Sequence, residues 1–116
     1  MTLPKPKRLN VGVAHRRSPN QEKETAKRIG GAVVRGSGCG YEKGDVRKKG
    51  IVRVECKTTT KASFSVTRSD LLKIEAEALS GGEIPAYCVE FIEASGKKIG
   101  SYLIMPEWAL EDIIRP

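Results

Sequence analysis

Between Gly50 and Thr58 the chain alternates apolar and charged residues: Ile51-Val52-Arg53-Val54-Glu55-Cys56-Lys57. A period of two belongs to a strand and excludes a helix. Successive side chains in a strand point to opposite faces. Val52, Val54 and Cys56 therefore share one face, and Ile51, Arg53, Glu55 and Lys57 share the other. Any fold for this chain must give that strand a core on one side and a use for two neighbouring charges on the other.

The flanking sequence supplies its partners. Gly44-Asp45-Val46-Arg47 reads as the first arm of a hairpin that turns at Lys48-Lys49-Gly50. Ala32-Val33-Val34-Arg35 is a further short strand, followed by the glycine-rich loop Gly36-Ser37-Gly38-Cys39-Gly40. Ser18-Pro19-Asn20-Gln21 has the form of a helix start, with an N-cap serine, proline at the first helical position and Gln after it. That helix runs to Ile29, with Ala26 and Ile29 inward, and Gly30-Gly31 ends it. Thr67-Arg68-Ser69-Asp70 matches a capping box, and a second helix is predicted from Ser69 to about Ser80 with Leu71, Ile74, Ala78 and Leu79 as core positions. Ala86 to Ile92 and Ile99 to Met105 form a second hairpin around Gly96-Lys97-Lys98. Pro106 opens a final short helix, whose Trp108, Ile113 and Ile114 are read as core.

The order helix, strands, helix, strands, helix predicts an α/β fold, a mixed sheet flanked by helices. At 116 residues it fits one domain, placed here over residues 18–116. Residues 1–17 read as a basic arm carrying Lys5, Lys7, Arg8, Arg16 and Arg17 without an acid.

Charge and cysteine content narrow the chemistry. Twenty-one Lys and Arg against 14 Asp and Glu give a net charge of +7, which suits a polyanionic partner. Three widely spaced cysteines and one histidine, His15, do not make a structural zinc site. No apolar run reaches signal-peptide or membrane-spanning length, and a reduced cytoplasmic protein is expected.

The hairpin carries the chemistry. Glu55 and Lys57 project from one face of their strand, and Asp45 opens the neighbouring strand. Lying across from them, Asp45 would bring two carboxylates and an ammonium to one spot. Two carboxylates can hold Mg²⁺, the backbone carbonyl of Cys56 can complete its shell, and a lysine beside it can orient water or a phosphoryl group. A salt-bridged surface strand has the same spacing, so the constellation alone leaves both readings open.

The ordered set Glu22, Gly36-Ser37-Gly38, Gly44-Asp45-Val46 and Val54-Glu55-Cys56-Lys57 resembles the PD-(D/E)XK nuclease superfamily, and within it the small Holliday-junction resolvases of archaeal and phage type. The likeness runs from about Ser18 to Phe91 and departs from the superfamily name in having Gly44 before Asp45. It implies a restriction-endonuclease-like core and a Mg²⁺-dependent endonuclease (Mn²⁺ substituting) that cuts four-way or other branched DNA as a homodimer. It also implies a catalytic acid on the first helix. Glu22 shares the inward face of Ala26 and Ile29, whereas Glu24 lies roughly 160° around the helix, free to pair with Arg28. Glu22 would bind metal directly or through water. Ser37 would contact the scissile phosphate, and Lys73 would reach the site or the DNA backbone. Arg35, Lys48, Lys49, Lys61, Arg16 and Arg17 are candidate phosphate contacts, which give affinity without base specificity. Other repair, restriction-like or nicking endonucleases, or a DNA-binding module without turnover, fit the same core.

Overall fold

The computed structural model describes residues 12–34 and 45–115. They form α1 (Gly12–Ile29), β1 (Ala32–Val34), β2 (Asp45–Lys48), β3 (Val52–Thr59), α2 (Arg68–Ser80), β4 (Ile84–Ile92), β5 (Lys98–Ile104) and α3 (Glu107–Ile114). The five strands make one sheet in the order β1-β2-β3-β4-β5. β3 and β4 run parallel, joined through α2, and every other neighbouring pair is antiparallel. This is the mixed α/β sheet with flanking helices that the element order predicts.

The alternation on β3 divides the molecule into layers. Val54 and Cys56 are buried with Val46, Ala86 and Cys88, and Ala26 of α1 covers them. Tyr87 and Val89 face the other way and pack under Ile74 of α2, with Phe64, Val66, Leu71 and Phe91 around them. One helix thus closes each face of the sheet. No described helix is long and apolar enough to cross a membrane.

α1 departs from expectation at its start. It begins at Gly12, so residues 12–17 belong to the helix and not to an arm, and Pro19 lies inside it. A proline there cannot donate a backbone hydrogen bond to the preceding turn. Arg17 bridges the weakened segment. Its Nε donates to Glu90 Oε1 at 2.9 Å and its Nη2 to Glu90 Oε2 at 3.0 Å, tying the helix to β4. The same guanidinium also pairs with Glu24 two turns on. Glu24 therefore binds Arg17 and not the expected Arg28, which donates to Thr25 Oγ1. At the other end, Gly30 takes the left-handed conformation (φ 68°). Gly31 lies so close to β2 that an added Cβ would sit 2.3 Å from the Arg47 carbonyl oxygen, so no other residue fits there.

α2 begins as its sequence requires. Thr67 Oγ1 accepts from Asp70 N, and Asp70 accepts from Thr67 N, a reciprocal capping box. Ile74 and Ala78 are buried, but Leu79 is 53% exposed. It sits one helical step past Ala78, about 100° around, and misses the sheet. α3 departs further. Ala109 is its buried residue, while Leu110, Ile113 and Ile114 are more than half exposed and Trp108 is 38% exposed. The apolar side of this two-turn helix points away from the chain's own core.

A buried ion pair locks the far end of the β2–β3 hairpin. Glu83 is fully buried and binds Arg47 Nε and the backbone N–H of Gly50. Burial pushes the Glu83 carboxyl up, but the Gly50 N–H and the Arg47 guanidinium outweigh it and leave it below the usual carboxylate range. Arg47→Ala would strand a buried carboxylate. Its expected cost is roughly 2–3 kcal/mol, at the low end for a broken buried pair because Arg47 is partly exposed; urea titration at neutral pH measures it. A carboxyl with a depressed folded pKa adds stability above the ordinary glutamate range, and that stability is lost as the pH falls through the folded value. The acid limb of a melting-temperature-against-pH curve should accordingly be shallower for Glu83→Gln than for the wild type.

Candidate active site

In the β2–β3 ladder Asp45 stands directly opposite Glu55. Directly paired residues of antiparallel strands lie on the same face, so position 45 shares the face of Glu55 and Lys57. On β3, the Lys57 Nζ lies 3.4 Å from Glu55 Oε1. Both side chains are partly exposed, Lys57 at 44% and Glu55 at 22%. The Cys56 side chain turns into the core on the α1 side, so only its backbone lies between them.

α2 forms the opposite wall. Asp70, Lys73, Ile74 and Glu77 recur at helical spacing, and with Glu55, Lys57 and Tyr87 they line a cavity of about 80 Å³. Lys73 therefore joins Glu55 and Lys57. Glu77 is anchored by Arg53 of β3, 3.4 Å away. Tyr87, beside Glu55 in the parallel β3–β4 register, is the floor. Its phenol is pushed up to about 12, first by burial and then by the nearby Asp70 and Glu55 carboxylates. At neutral pH it is a neutral hydrogen-bond donor among acids.

The α1 side fixes the strand on which the charged pair sits. Gln21, 1% exposed, donates its amide to the Lys57 carbonyl at 3.0 Å and accepts from Thr58 Oγ1 at 2.6 Å. The strand is thus clamped where Lys57 emerges. Glu22 is buried at 6% exposure while Glu24 stays on the surface, as the helical stripe requires. Glu22 lies on the Cys56 side of the sheet, and its charge is felt by the Cys56 thiol. Burial, the neighbouring Cys88, and the Glu22 and Glu55 carboxylates push that thiol up to about 12 against a hydrogen bond from Thr25. Cys88, directly opposite Cys56 in the ladder, is also raised, chiefly by burial.

The phosphate-contact candidates do not gather. Lys61 and Lys73 are exposed on the site face or its rim. Lys48 and Lys49 sit at the β2–β3 turn, the opposite end of the hairpin from Asp45 and Glu55, about 13 Å away at the rise of an extended strand. Arg17 is engaged by the buried Glu90 and by Glu24 on the helix surface, so it is a structural residue and not a phosphate contact. Arg35 and Ser37, with the rest of their loop, lie outside the described residues, as do the side chains of Arg16 and Asp45. Among the described residues no three His, Cys, Asp or Glu side chains are grouped to hold a metal ion.

Sequence reading missed Tyr87, Asp70 and Gln21. Asp70 was accounted for as a cap and Gln21 as part of a helix start. Tyr87 lay in an apolar strand whose register against β3 only the fold supplies.

Raised and buried, the two thiols should resist alkylation. With iodoacetamide at neutral pH, Cys56 and Cys88 are expected to stay unmodified in the native protein and to react in denaturant, as peptide mass spectrometry would report. Rapid native labelling of Cys56 would contradict the packing of α1 on β3.

No protein-family model, curated protein or solved structure gives a significant match to this chain.

Proposed function

We propose that the chain is a divalent-metal-dependent DNA endonuclease of the PD-(D/E)XK type, a Holliday-junction resolvase acting on four-way or other branched duplex DNA. The observation that carries this reading is the pairing of Asp45 with Glu55 in the ladder, beside the 3.4 Å contact of Glu55 with Lys57. Two acidic positions on adjacent strands, with an ammonium one step along, form a donor set that fits a hard cation. Such ions take carboxylate oxygens and keep part of their water shell. Asp45 and Glu55 would hold Mg²⁺ or Mn²⁺, with the Cys56 carbonyl as a further donor; the expected ligand Glu22, on the α1 side of the sheet beside Cys56, would not join them. When bound, the ion would supply Lewis-acid polarisation of the phosphoryl group and make water more acidic.

The chain's own groups provide the rest. Lys57, held near Glu55, offers a proton-donating cation to a phosphoryl oxygen or to the attacking water. Lys73 on α2 adds positive charge on the opposite wall of the cavity. The Tyr87 phenol, neutral at physiological pH, can donate a hydrogen bond to a carboxylate or phosphate oxygen. Acids this close to a phosphodiester repel it unless a cation lies between them, and a protein that only bound DNA would gain nothing from them. The net charge of +7 supports a polyanionic substrate.

Labelled four-way junction, linear duplex and single strand, incubated with Mg²⁺ or chelator, test the reading. Paired symmetric nicks on the junction with Mg²⁺, and none with chelator, are expected. Glu55→Gln and Asp45→Asn should each lower cleavage by at least about 100-fold, leaving junction binding intact or tighter because a repelling charge is gone. Cutting of linear duplex at an equal rate would replace the resolvase assignment with a general endonuclease. Binding without cleavage in any divalent metal would leave a DNA-binding module.

A further inference from the structure

β3 does not end at the charged pair. Past Lys57 it runs to Thr59 and bends through Thr60, Lys61 and Ala62, held by the Lys61 N–H, which donates to Thr59 Oγ1 at 3.0 Å. With Phe91 of β4 and Ile99 and Tyr102 of β5, these last three residues line an open groove of about 480 Å³. Among the described residues its lining holds one charge, that of Lys61, and no acid. The neighbouring cavity under α2 is of the opposite kind, lined mostly by charged groups.

The groove opens on the face of the candidate site. In the β4–β5 ladder Phe91 stands opposite Gly100 and Val89 opposite Tyr102. Directly paired residues share a face, and Phe91 packs with Val89 and Tyr87, so Phe91 and Tyr102 both lie on the Tyr87 side. Gly100 leaves room between them. The Tyr102 ring leans back over position 100, where an added Cβ would touch it at 3.4 Å. It meets Phe91 edge-on, with centroids 6.0 Å apart and planes at 71°, the geometry that aromatic quadrupoles favour. The ring is held there without being covered: Tyr102 is 64% exposed, and Ile99 is 68% exposed.

We infer that this groove binds one unstacked nucleobase of a DNA strand, with Tyr102 as its stacking platform and Lys61 on an adjoining phosphate. The inference rests on the reading that a DNA strand crosses the neighbouring cavity. Every base has a π-face, and an aromatic ring beside a cation holds single-stranded segments without regard to sequence. Position favours the same occupant. Lys57, Val89 and Tyr102 form one row across β3, β4 and β5, so the platform begins two strand spacings from Lys57, about 10 Å. That is roughly three nucleotides at the rise of about 3.4 Å in a stacked strand, and fewer once the strand is pulled out of its stack. A backbone lying along Lys57 and Lys73 reaches Lys61 next, and there its base meets a ring and not another carboxylate. An intact duplex keeps its bases inside, and taking one out costs least where it is already unpaired. The substrate class this defines is a bulge, flap or branch with an unpaired nucleotide within a few positions of the cut.

Fluorescence anisotropy in chelator measures binding without cleavage. The probes are a labelled duplex with one extra adenine, and the same duplex with an abasic residue in place of that adenine. The wild type is expected to bind the adenine bulge at least about 5-fold tighter than the abasic one. Tyr102→Ala should bind the two alike, and Tyr102→Phe, which keeps the ring, should retain most of the preference. Lys61→Ala should weaken both complexes equally and reduce the slope of log affinity against log salt by about one. Should Tyr102→Ala fail to fold, the comparison of adenine with abasic probe on the wild type still decides. Equal wild-type affinity for the two probes, a preference that survives Tyr102→Ala, or no binding of either probe would each overturn the proposal. Tyr102-dependent binding by a protein that cuts nothing in any divalent metal would sink the nuclease reading and leave the groove standing. Cutting of junctions by a protein with no preference for the adenine would sink the groove alone.

Discussion

The two-sidedness of β3 governs the rest of the molecule. Val54 and Cys56 are buried under α1, and burial of that face is worth on the order of 1.5–3 kcal/mol for each large apolar side chain. A slip of one residue would turn those groups to the other face and bring Glu55 and Lys57 inward. The core therefore fixes the register of the charged pair as firmly as it fixes the hydrophobic one. Because β2 and β4 take their register from β3, the same constraint sets Asp45 opposite Glu55 and Tyr87 beside it. The positions of the candidate site follow from packing on the face that does not contain it.

α1 turns that constraint into rigidity. Its Gln21 holds the Lys57 carbonyl and the Thr58 hydroxyl, and its Arg17 joins the buried Glu90 of β4. Both are polar contacts inside an apolar layer, so leaving either half unpaired is costly. They bind the helix to β3 and β4, the two strands that share the longest ladder. Glu22 lies in the same layer. A carboxylate placed there tolerates burial only near compensating charge or hydrogen bonds.

Most of the fold was legible in the sequence because local rules and tertiary packing agree. The period of two on β3, the Thr67–Asp70 capping box and the Gly30-Gly31 stop each place an element with small error. Glu22 was separable from Glu24 by helical phase alone. The failures arise where a long-range contact overrides a local signal. Ser18-Pro19 has every mark of a helix start, yet Arg17 pairs with Glu90, 73 positions away, and carries the helix past the proline. Arg17 looked like a phosphate ligand because nothing in its neighbourhood shows a partner on β4. Leu79 and the α3 residues looked like core because hydrophobicity does not say whose core. In the site, the α2 wall needed only periodicity, whereas Tyr87 needed the β3–β4 register, which no local pattern encodes.

The α3 residues bear on the size of the protein. A chain of 116 residues has a high ratio of surface to volume, and small domains bury a smaller fraction of their chain than large ones. Here the scarce apolar side chains are not all spent inside. Trp108, Leu110, Ile113 and Ile114 are exposed on a two-turn helix next to an uncapped edge strand. A stable monomer would gain by placing these residues over the Tyr87–Val89 face, where α2 already sits with only Ile74 and Ala78 buried. Their position outside leaves apolar side chains in contact with water, which is unfavourable. The exposed apolar side chains of α3 are not among the residues that line the charged cavity over β3 and β4, so the acids and lysines there stay open to solvent.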